Sequence, residues 1–404
     1  MAGSGRDAGA AAVTRRLLSL STLYPNASTP QFGTFVARSL EALAARGDWE
    51  VTAINPIGIP PLALGRYRAL AAAAVDGVEN GVDVRRPSYL LVPRMGGRIN
   101  PSMIARAVLP LARELHERRP FDLVDAQFFY PDGPAAAWIA GQLGLPYAIK
   151  ARGSDITLWG TKGFAREQML EAAARARGLL SVSRALADDM VEIGMPRGKI
   201  AIHYTGLDRD RFRPLAHAGL RARLGEKLGL PLSEGERLVA TVGALIDRKG
   251  QDLVIGAIAS IPGTRLLLVG KGEDEKHLRA LARDLGVADR VHFVGSVDHD
   301  TLPVILSAAD AMVLPSKKEG LANAWVEALA CGTPIVISEA GGARELVTGP
   351  DAGYVVARDI DAIAGALQRL FADPPPRERV AATVERFGWP AHAARLAGLY
   401  ESFA

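Results

Sequence analysis

Short apolar runs alternate with stretches of helical spacing along most of the chain. Residues 17–20, 50–54, 122–126, 147–150, 176–182 and 200–203 read as strands in the first half. Between them Val36, Leu40 and Leu43 share one helical face, and helices are predicted over 66–74, 104–119, 135–143 and 185–193. Further strands are predicted over 81–86 and 89–92, after a long Pro/Gly-rich connection at 56–65. The second half repeats the alternation, with strands over 238–242, 265–269, 291–294, 311–314 and 335–337. Its helical faces are Val254 with Ile258, then Leu278 with Leu281 and Leu285, then Ile363 with Leu367 and Leu370, and a terminal helix runs through Tyr400. Unbroken apolar runs are the mark of strands buried on both faces, as in parallel sheets covered by helices.

One stretch, residues 315–346, carries the most local information. Strand 311–314 ends at Pro315, polar residues run to Gly320, and a helix over 321–330 is stopped by Gly332 and Pro334. A second buried strand, 335–337, closes on Gly341-Gly342. In a parallel sheet both strand ends face the same crevice, where ligands bind. Glu319 stands just before the helix and Glu327 two turns into it.

At 404 residues the chain is too long for one ordinary core, so two domains are expected. The bounds read as a leader over 1–14, a first domain over 15–212, a linker over 213–237, a second domain over 238–386 and a terminal helix over 387–404. Hydrophobic residues make up 49% and charged residues 23%, the balance of a globular protein, with no apolar run long enough to span a bilayer. The single cysteine, Cys331, excludes an internal disulfide and fits a reducing compartment. Net charge is +4, and arginines crowd the first half (Arg15-Arg16, Arg66, Arg68, Arg85-Arg86, Arg94, Arg98). That bias suits anionic membranes or phosphate-bearing substrates, and equally an ordinary solvated surface. No nucleic-acid-binding motif is present.

Several loops carry candidate chemistry. Gly33, between the first strand and its helix, permits close backbone approach at a helix start that favours anions. A P-D-G loop with Asp132 and a G-S-D loop with Asp155 follow later strands, and Arg152 precedes the latter. Ser183 is placed to cap the helix after it. Asp208-Arg209-Asp210 and Asp298-His299-Asp300 have the D-x-D form of a metal site, but both read as surface turns, so no metal ligand is assigned. Gly270-Lys271-Gly272 lacks the third glycine of a dinucleotide fingerprint and does not follow the first strand of its domain.

The Glu319-x7-Glu327 pair, followed by E-A-L-A-C-G-T-P-I-V and G-G-A-R-E, resembles retaining glycosyltransferases of family 4. The stretch P-N-A-S-T-P-Q-F-G-T-F-V and the turn T-G-L-D-R-D-R-F-R-P fit the same family, and the resemblance extends from about Arg16 to Tyr400. It implies the GT-B fold, α/β with two Rossmann-like domains facing across a cleft and a C-terminal helix crossing back to the first. By this resemblance Lys249, with Arg248 beside it, meets the donor diphosphate and Glu319 meets the donor sugar. Glu327 would accept from the ribose, and Gly33, Gly243, Val297, Ser316, Gly320 and Leu321 would line the donor. Asp132, Arg152 and Asp155 fall on the acceptor or phosphate side. Two departures stand out. Ala244 occupies the position where the family usually has arginine, and Gln127 aligns with the family's active-site histidine. Arg152 itself is open to two readings, a cation for phosphate or an acidic acceptor, or an ion pair with Asp155.

The resulting expectation is retaining transfer of a sugar from a nucleotide-diphosphate-sugar to a hydroxyl acceptor, a glycan or lipid-linked molecule, in polysaccharide or glycolipid biosynthesis. No cofactor is expected, metal is not required, and nucleic acid is not a partner. The expected location is the cytoplasm, with peripheral contact at the inner face of the plasma membrane as an option. The alternative is a non-catalytic nucleotide-sugar-binding subunit of a glycan assembly complex.

Overall fold

The computed structural model describes residues 14–62, 64–92, 96–216, 218–298 and 300–404. The expected leader lies outside the described residues except for Thr14, as do Arg94 and His299. Contacts divide the described chain into two units, one of residues up to 180, 193–201 and 393–404, the other of 181–192 and 202–392.

The first unit is built on an eight-stranded sheet. Its order is Ile200–Ile202, Gly178–Ser181, Tyr147–Ala151, Leu123–Ala126, Arg15–Leu20, Trp49–Ile54, Val82–Arg85 and Gly77–Glu79. Pairing is parallel from Tyr147–Ala151 across to Val82–Arg85, and Gly77–Glu79 adds an antiparallel edge. Leu17, Leu18 and Leu20 are buried, as are Val51, Ala53 and Ile54, which is why these strands read as solid apolar runs. The sheet's order turns at Arg15–Leu20: the chain first builds outward to Trp49–Ile54, then returns to pair Leu123–Ala126 on the other side. Leu396, Ala397 and Tyr400 of the terminal helix Trp389–Phe403 pack in this unit's core with Leu17, Trp49 and Leu123. Tyr400 meets Trp49 edge-on at 5.8 Å.

The second unit has a six-stranded, wholly parallel sheet, ordered Val291–Gly295, Thr264–Val269, Arg237–Val242, Ala311–Leu314, Ile335–Ser338, Gly353–Val356. This is the doubly wound order with its switch between Arg237–Val242 and Ala311–Leu314. The linker 213–237, read from the sequence as holding one helix, contains one. Its helix Leu220–Leu228 buries Leu220 and Leu224 against Leu238, Leu267 and Ile305, and Arg221 bonds Ala308 O at 2.9 Å and Asp310 at 2.7 Å.

Elsewhere the differences from the sequence pattern are local. The helix expected from 104 begins at Gly96 and runs to Arg118 through Pro101 and Pro110. Ile104, Val108 and Ala112 are fully buried, so packing overrides the low propensity of proline. No apolar period marks residues 156–175, yet Gly163–Arg175 is a helix, because its buried face is Ala165, Met169, Ala172 and Ala173. Residues 56–65 contain the strand Ile57–Ile59, which pairs in parallel with Ser88–Leu90 as a separate small sheet.

Candidate active site

Ligands bind a doubly wound sheet at the carboxyl ends of the strands flanking its switch. In the second unit those ends lead into Gly243–Gly250 and Pro315–Leu321. One backbone hydrogen bond and two arginine side chains tie these loops together. Lys317 N donates to Arg248 O at 2.7 Å, Arg248 Nη1 to Lys318 O at 3.2 Å, and Arg358 Nε to Pro315 O at 2.9 Å. Held this way, Lys249 Nζ hydrogen-bonds Glu319 Oε1, and Arg248 Nη1 lies 3.8 Å from the same oxygen. Lys249 and Glu319 are both largely buried, whereas the Arg248 side chain is half exposed.

The Gly341-Gly342 turn explains why Glu319 cannot drift. Gly342 N donates to Gly320 O at 2.8 Å. Gly341 has φ +52°, and a Cβ there would stand 2.3 Å from Glu319 O, so only glycine lets the two turns approach this closely. Ser316 is buried, its carbonyl accepts from the Ser338 hydroxyl, and its own hydroxyl has no partner. Leu321 is buried in the core beside Trp325. Gly243 backs the lysine, with its Cβ position 3.8 Å from Lys249 Cε. Val297 packs on the cluster formed by Leu220 and Ile305.

Glu327 lies on the helix Asn323–Ala330 among Trp325, Val326 and Ala328. Burial raises its pKa to about 7, and no donor within the described residues hydrogen-bonds its carboxylate. A half-buried carboxylate without a donor is disfavoured in its ionised form, and it is a strong acceptor for any hydroxyl that arrives.

The first unit's switch leads into residues 21–33 and 127–133. Gly33 caps the helix Thr34–Ala44 with φ +76°, and a Cβ would meet the Leu23 carbonyl carbon at 2.4 Å. At Gln127 the structure assembles a connected set. Gln127 Nε2 donates to Asp125 Oδ2, the Tyr400 hydroxyl donates to that same oxygen, and Gln127 Oε1 accepts from Arg152 Nη2. Arg152 Nε also donates to Gln127 O at 3.1 Å, and its guanidinium sits 5.0 Å from the Phe35 ring centre. Burial raises the Asp125 pKa and lowers that of Arg152 to about 10. Burial, then Arg152, pushes Lys150 well below the usual ammonium range.

The ion pair between Arg152 and Asp155 is not formed. Asp155 instead accepts from the backbone amides of Phe129 (2.9 Å), Arg152 (3.0 Å) and Gly153 (2.7 Å), which folds its loop. Asp132 accepts from Thr22 N at 2.9 Å, and burial raises its pKa to about 7. Both aspartates thus organise loops around the site. The D-x-D aspartates have local tasks too: Asp298 accepts from Thr301 N at 2.6 Å and Asp208 from Arg211 N at 3.1 Å. Ser183 Oγ accepts from Leu186 N at 3.1 Å, the expected cap. Asp125, Tyr400 and Arg358 escaped the sequence reading. Only Asp125, at a strand end beside Gln127, offered a local signal.

The profile of Glycosyltransferase Family 4 matches residues 33–211, and that of Glycosyl transferases group 1 matches 226–386. A GDP-mannose-dependent alpha-(1-6)-phosphatidylinositol monomannoside mannosyltransferase of Mycolicibacterium smegmatis is 37% identical over 48% of this chain and 54% of its own. The match thus spans about half the length of that relative. The putative teichuronic acid biosynthesis glycosyltransferase TuaC of Bacillus subtilis is 28% identical over 88% of both chains. Among solved structures, sucrose-phosphate synthase from Thermosynechococcus elongatus superposes with TM-score 0.76 at 24% identity, covering 96% of this chain and 98% of its own. HepE of Anabaena with UDP-glucose gives 0.71 at 20%, covering 96% and 99%. The fold is therefore GT-B, two Rossmann-like units of parallel sheet. With the two profiles side by side along the chain, the protein belongs to glycosyltransferase family 4.

Proposed function

We propose that the protein transfers a glycosyl group from a nucleotide-diphosphate-sugar to a hydroxyl acceptor, with retention at the anomeric carbon. The observation carrying this reading is the pair of features at the second switch: Lys249 held on Glu319 with Arg248 adjacent, and half-buried Glu327, with no hydrogen-bond donor among the described residues, on the following helix. Lys249 and Arg248 stabilise the charge that grows on the leaving diphosphate. Glu319 binds sugar hydroxyls once the diphosphate competes for Lys249, and ionised Glu327 accepts from the ribose. The bond from the anomeric carbon to the phosphate oxygen breaks, and a bond to the acceptor oxygen forms on the same face. The acceptor proton passes to the leaving phosphate oxygen, so a neutral Gln127 in place of an imidazole is compatible with turnover. Catalysis then rests on positioning and charge stabilisation, with no metal ion or cofactor required.

The names of the relatives, a phosphatidylinositol mannoside mannosyltransferase and a teichuronic acid enzyme, favour a glycolipid or polysaccharide acceptor. No helix among the described residues is long and apolar enough to cross a membrane. The arginines of the first half favour peripheral contact with anionic lipid at a cytoplasmic face, and such contact weakens with salt. The test is release of nucleotide from a panel of nucleotide-sugars, comparing wild type with Glu319→Ala and Lys249→Ala. One donor turned over by wild type and by neither variant supports the transferase. Tight binding without turnover, with lipid and glycan extracts supplied as acceptors, supports a binding subunit instead.

A further inference from the structure

Arg152 has no carboxylate within ion-pair distance among the described residues, although Asp155 and Asp125 are near enough to favour its charge. Its side-chain hydrogen bonds go to two neutral oxygens, Gln127 O and Gln127 Oε1, and among the described residues it forms no ion pair. The remaining terminal nitrogen, Nη1, is covered and has no partner, while the Phe35 ring lies 5.0 Å from the guanidinium carbon. The neighbouring carboxylates bond other groups, with Asp125 Oδ1 and Asp132 Oδ1 left without a hydrogen-bond partner. Asp155 is spent on backbone amides, and Asp125 takes the Tyr400 hydroxyl and Gln127 Nε2. Asp132 is turned to Thr22 N, and burial, then Arg152, disfavours the charged form of neighbouring Lys150. A guanidinium drawn out of water costs free energy unless an anion joins it, and its planar fork matches a carboxylate or phosphate.

Gln127 fixes the direction of that fork. Its amide is oriented at both ends, with Nε2 on Asp125 and Oε1 on Arg152, and Tyr400 secures Asp125 from the terminal helix. The glutamine thus acts as a clamp that presents Arg152 at the carboxyl end of the strand Tyr147–Ala151.

We propose that Arg152 receives an oxyanion carried by the acceptor, a carboxylate or phosphate group, so that the enzyme selects acidic over neutral acceptors. This rests on the transferase reading above, naming the acceptor class of the same site. Removing a charge-assisted pair of this kind costs about 10- to 100-fold in affinity.

The test measures binding to the full chain by saturation-transfer NMR titration, with the donor site filled first by UDP and then by GDP. The probes are matched pairs: methyl glucuronoside against methyl glucoside, and mannose 6-phosphate against mannose. Wild type is expected to bind at least one acidic member about tenfold or more above its neutral twin, and Arg152→Gln to erase the difference. Arg152→Lys, which keeps the charge without the fork, should retain part of it, and it serves if the glutamine variant does not fold by circular dichroism. Equal binding of both members by wild type, or a preference that survives Arg152→Gln, overturns the proposal. So does a loss of UDP and GDP affinity with acid preference intact, which would assign the cation to the donor diphosphate. An Arg152-dependent acid preference in a chain that turns over no nucleotide-sugar would uphold this inference while the transferase reading fails.

Discussion

The two switch points solve opposite electrostatic problems. In the second unit a lysine and a glutamate already neutralise each other, with a half-exposed arginine alongside. The pieces come from two loops tied by backbone hydrogen bonds and a glycine turn. In the first unit a neutral amide joins a buried aspartate to an arginine that forms no direct ion pair among the described residues, and a tyrosine from the far end of the sequence completes the set. One site is charged and self-paired before ligand arrives, and the other leaves Arg152 Nη1 without a hydrogen-bond partner. A self-paired site can exchange its partner for a diphosphate without exposing a bare charge. An unpaired one gains most from an acidic ligand.

The largest expected effect strikes the paired site. Lys249→Ala and Glu319→Ala should each lower kcat by on the order of 10²-fold or more, since each loses a group acting on developing charge or sugar position. Initial rates with saturating donor check this, and a loss below tenfold in both would place the chemistry elsewhere.

Glu327 sharpens the contrast through pH. Its folded-state pKa near 7 lies above the ordinary 4.5, so its contribution to stability is most favourable below the unfolded value. It is lost as pH rises toward 7, by about 3 kcal/mol at most. Thermal melts of the ligand-free protein should therefore show a fall in Tm from pH 5 to pH 8 that is shallower in Glu327→Gln. Asp132, raised to about 7 as well, leaves a residual slope of the same sign in that variant. Donor binding should run the other way, tightening several-fold from pH 6 to pH 8 in wild type and staying flat in Glu327→Gln. A nucleotide-sugar is the probe because its diphosphate diester does not titrate there.

Tyr400→Phe asks whether the terminal helix serves the first site. It leaves the ring against Trp49 and removes one donor from buried Asp125, costing about 1–3 kcal/mol of stability. The acceptor KM should rise while donor binding stays constant; equal losses in both would show a merely structural role. Arg248→Ala should have the smallest effect, about two- to five-fold in kcat, because half-exposed ion pairs contribute little. A loss matching that of Lys249→Ala would mean Arg248 replaces the arginine missing at Ala244.

These unequal sites were unequally legible. Lys249, Glu319 and Glu327 stand in contiguous motifs between a strand and a helix, so local order along the chain already places them at strand ends. Solid apolar runs likewise announce parallel strands, since burial on both faces leaves no alternation. The helix Gly163–Arg175 was hidden because an alanine-rich face carries little period. The helix Gly96–Arg118 was shortened at its start, where Gly96, Gly97 and Pro101 speak against a helix that tertiary packing maintains.

What the sequence determined by itself was the alternation of strand and helix, the loops at strand ends and the residue types available for phosphate and hydroxyl recognition. The tertiary structure decided which groups are partnered. Asp155 met backbone amides and not the Arg152 guanidinium, Asp125 met a tyrosine 275 residues away, and Glu327 met no donor among the described residues. Spacing along a chain sets which side chains share a face. Burial and the direction of each hydrogen bond depend on neighbours brought together only when distant segments pack.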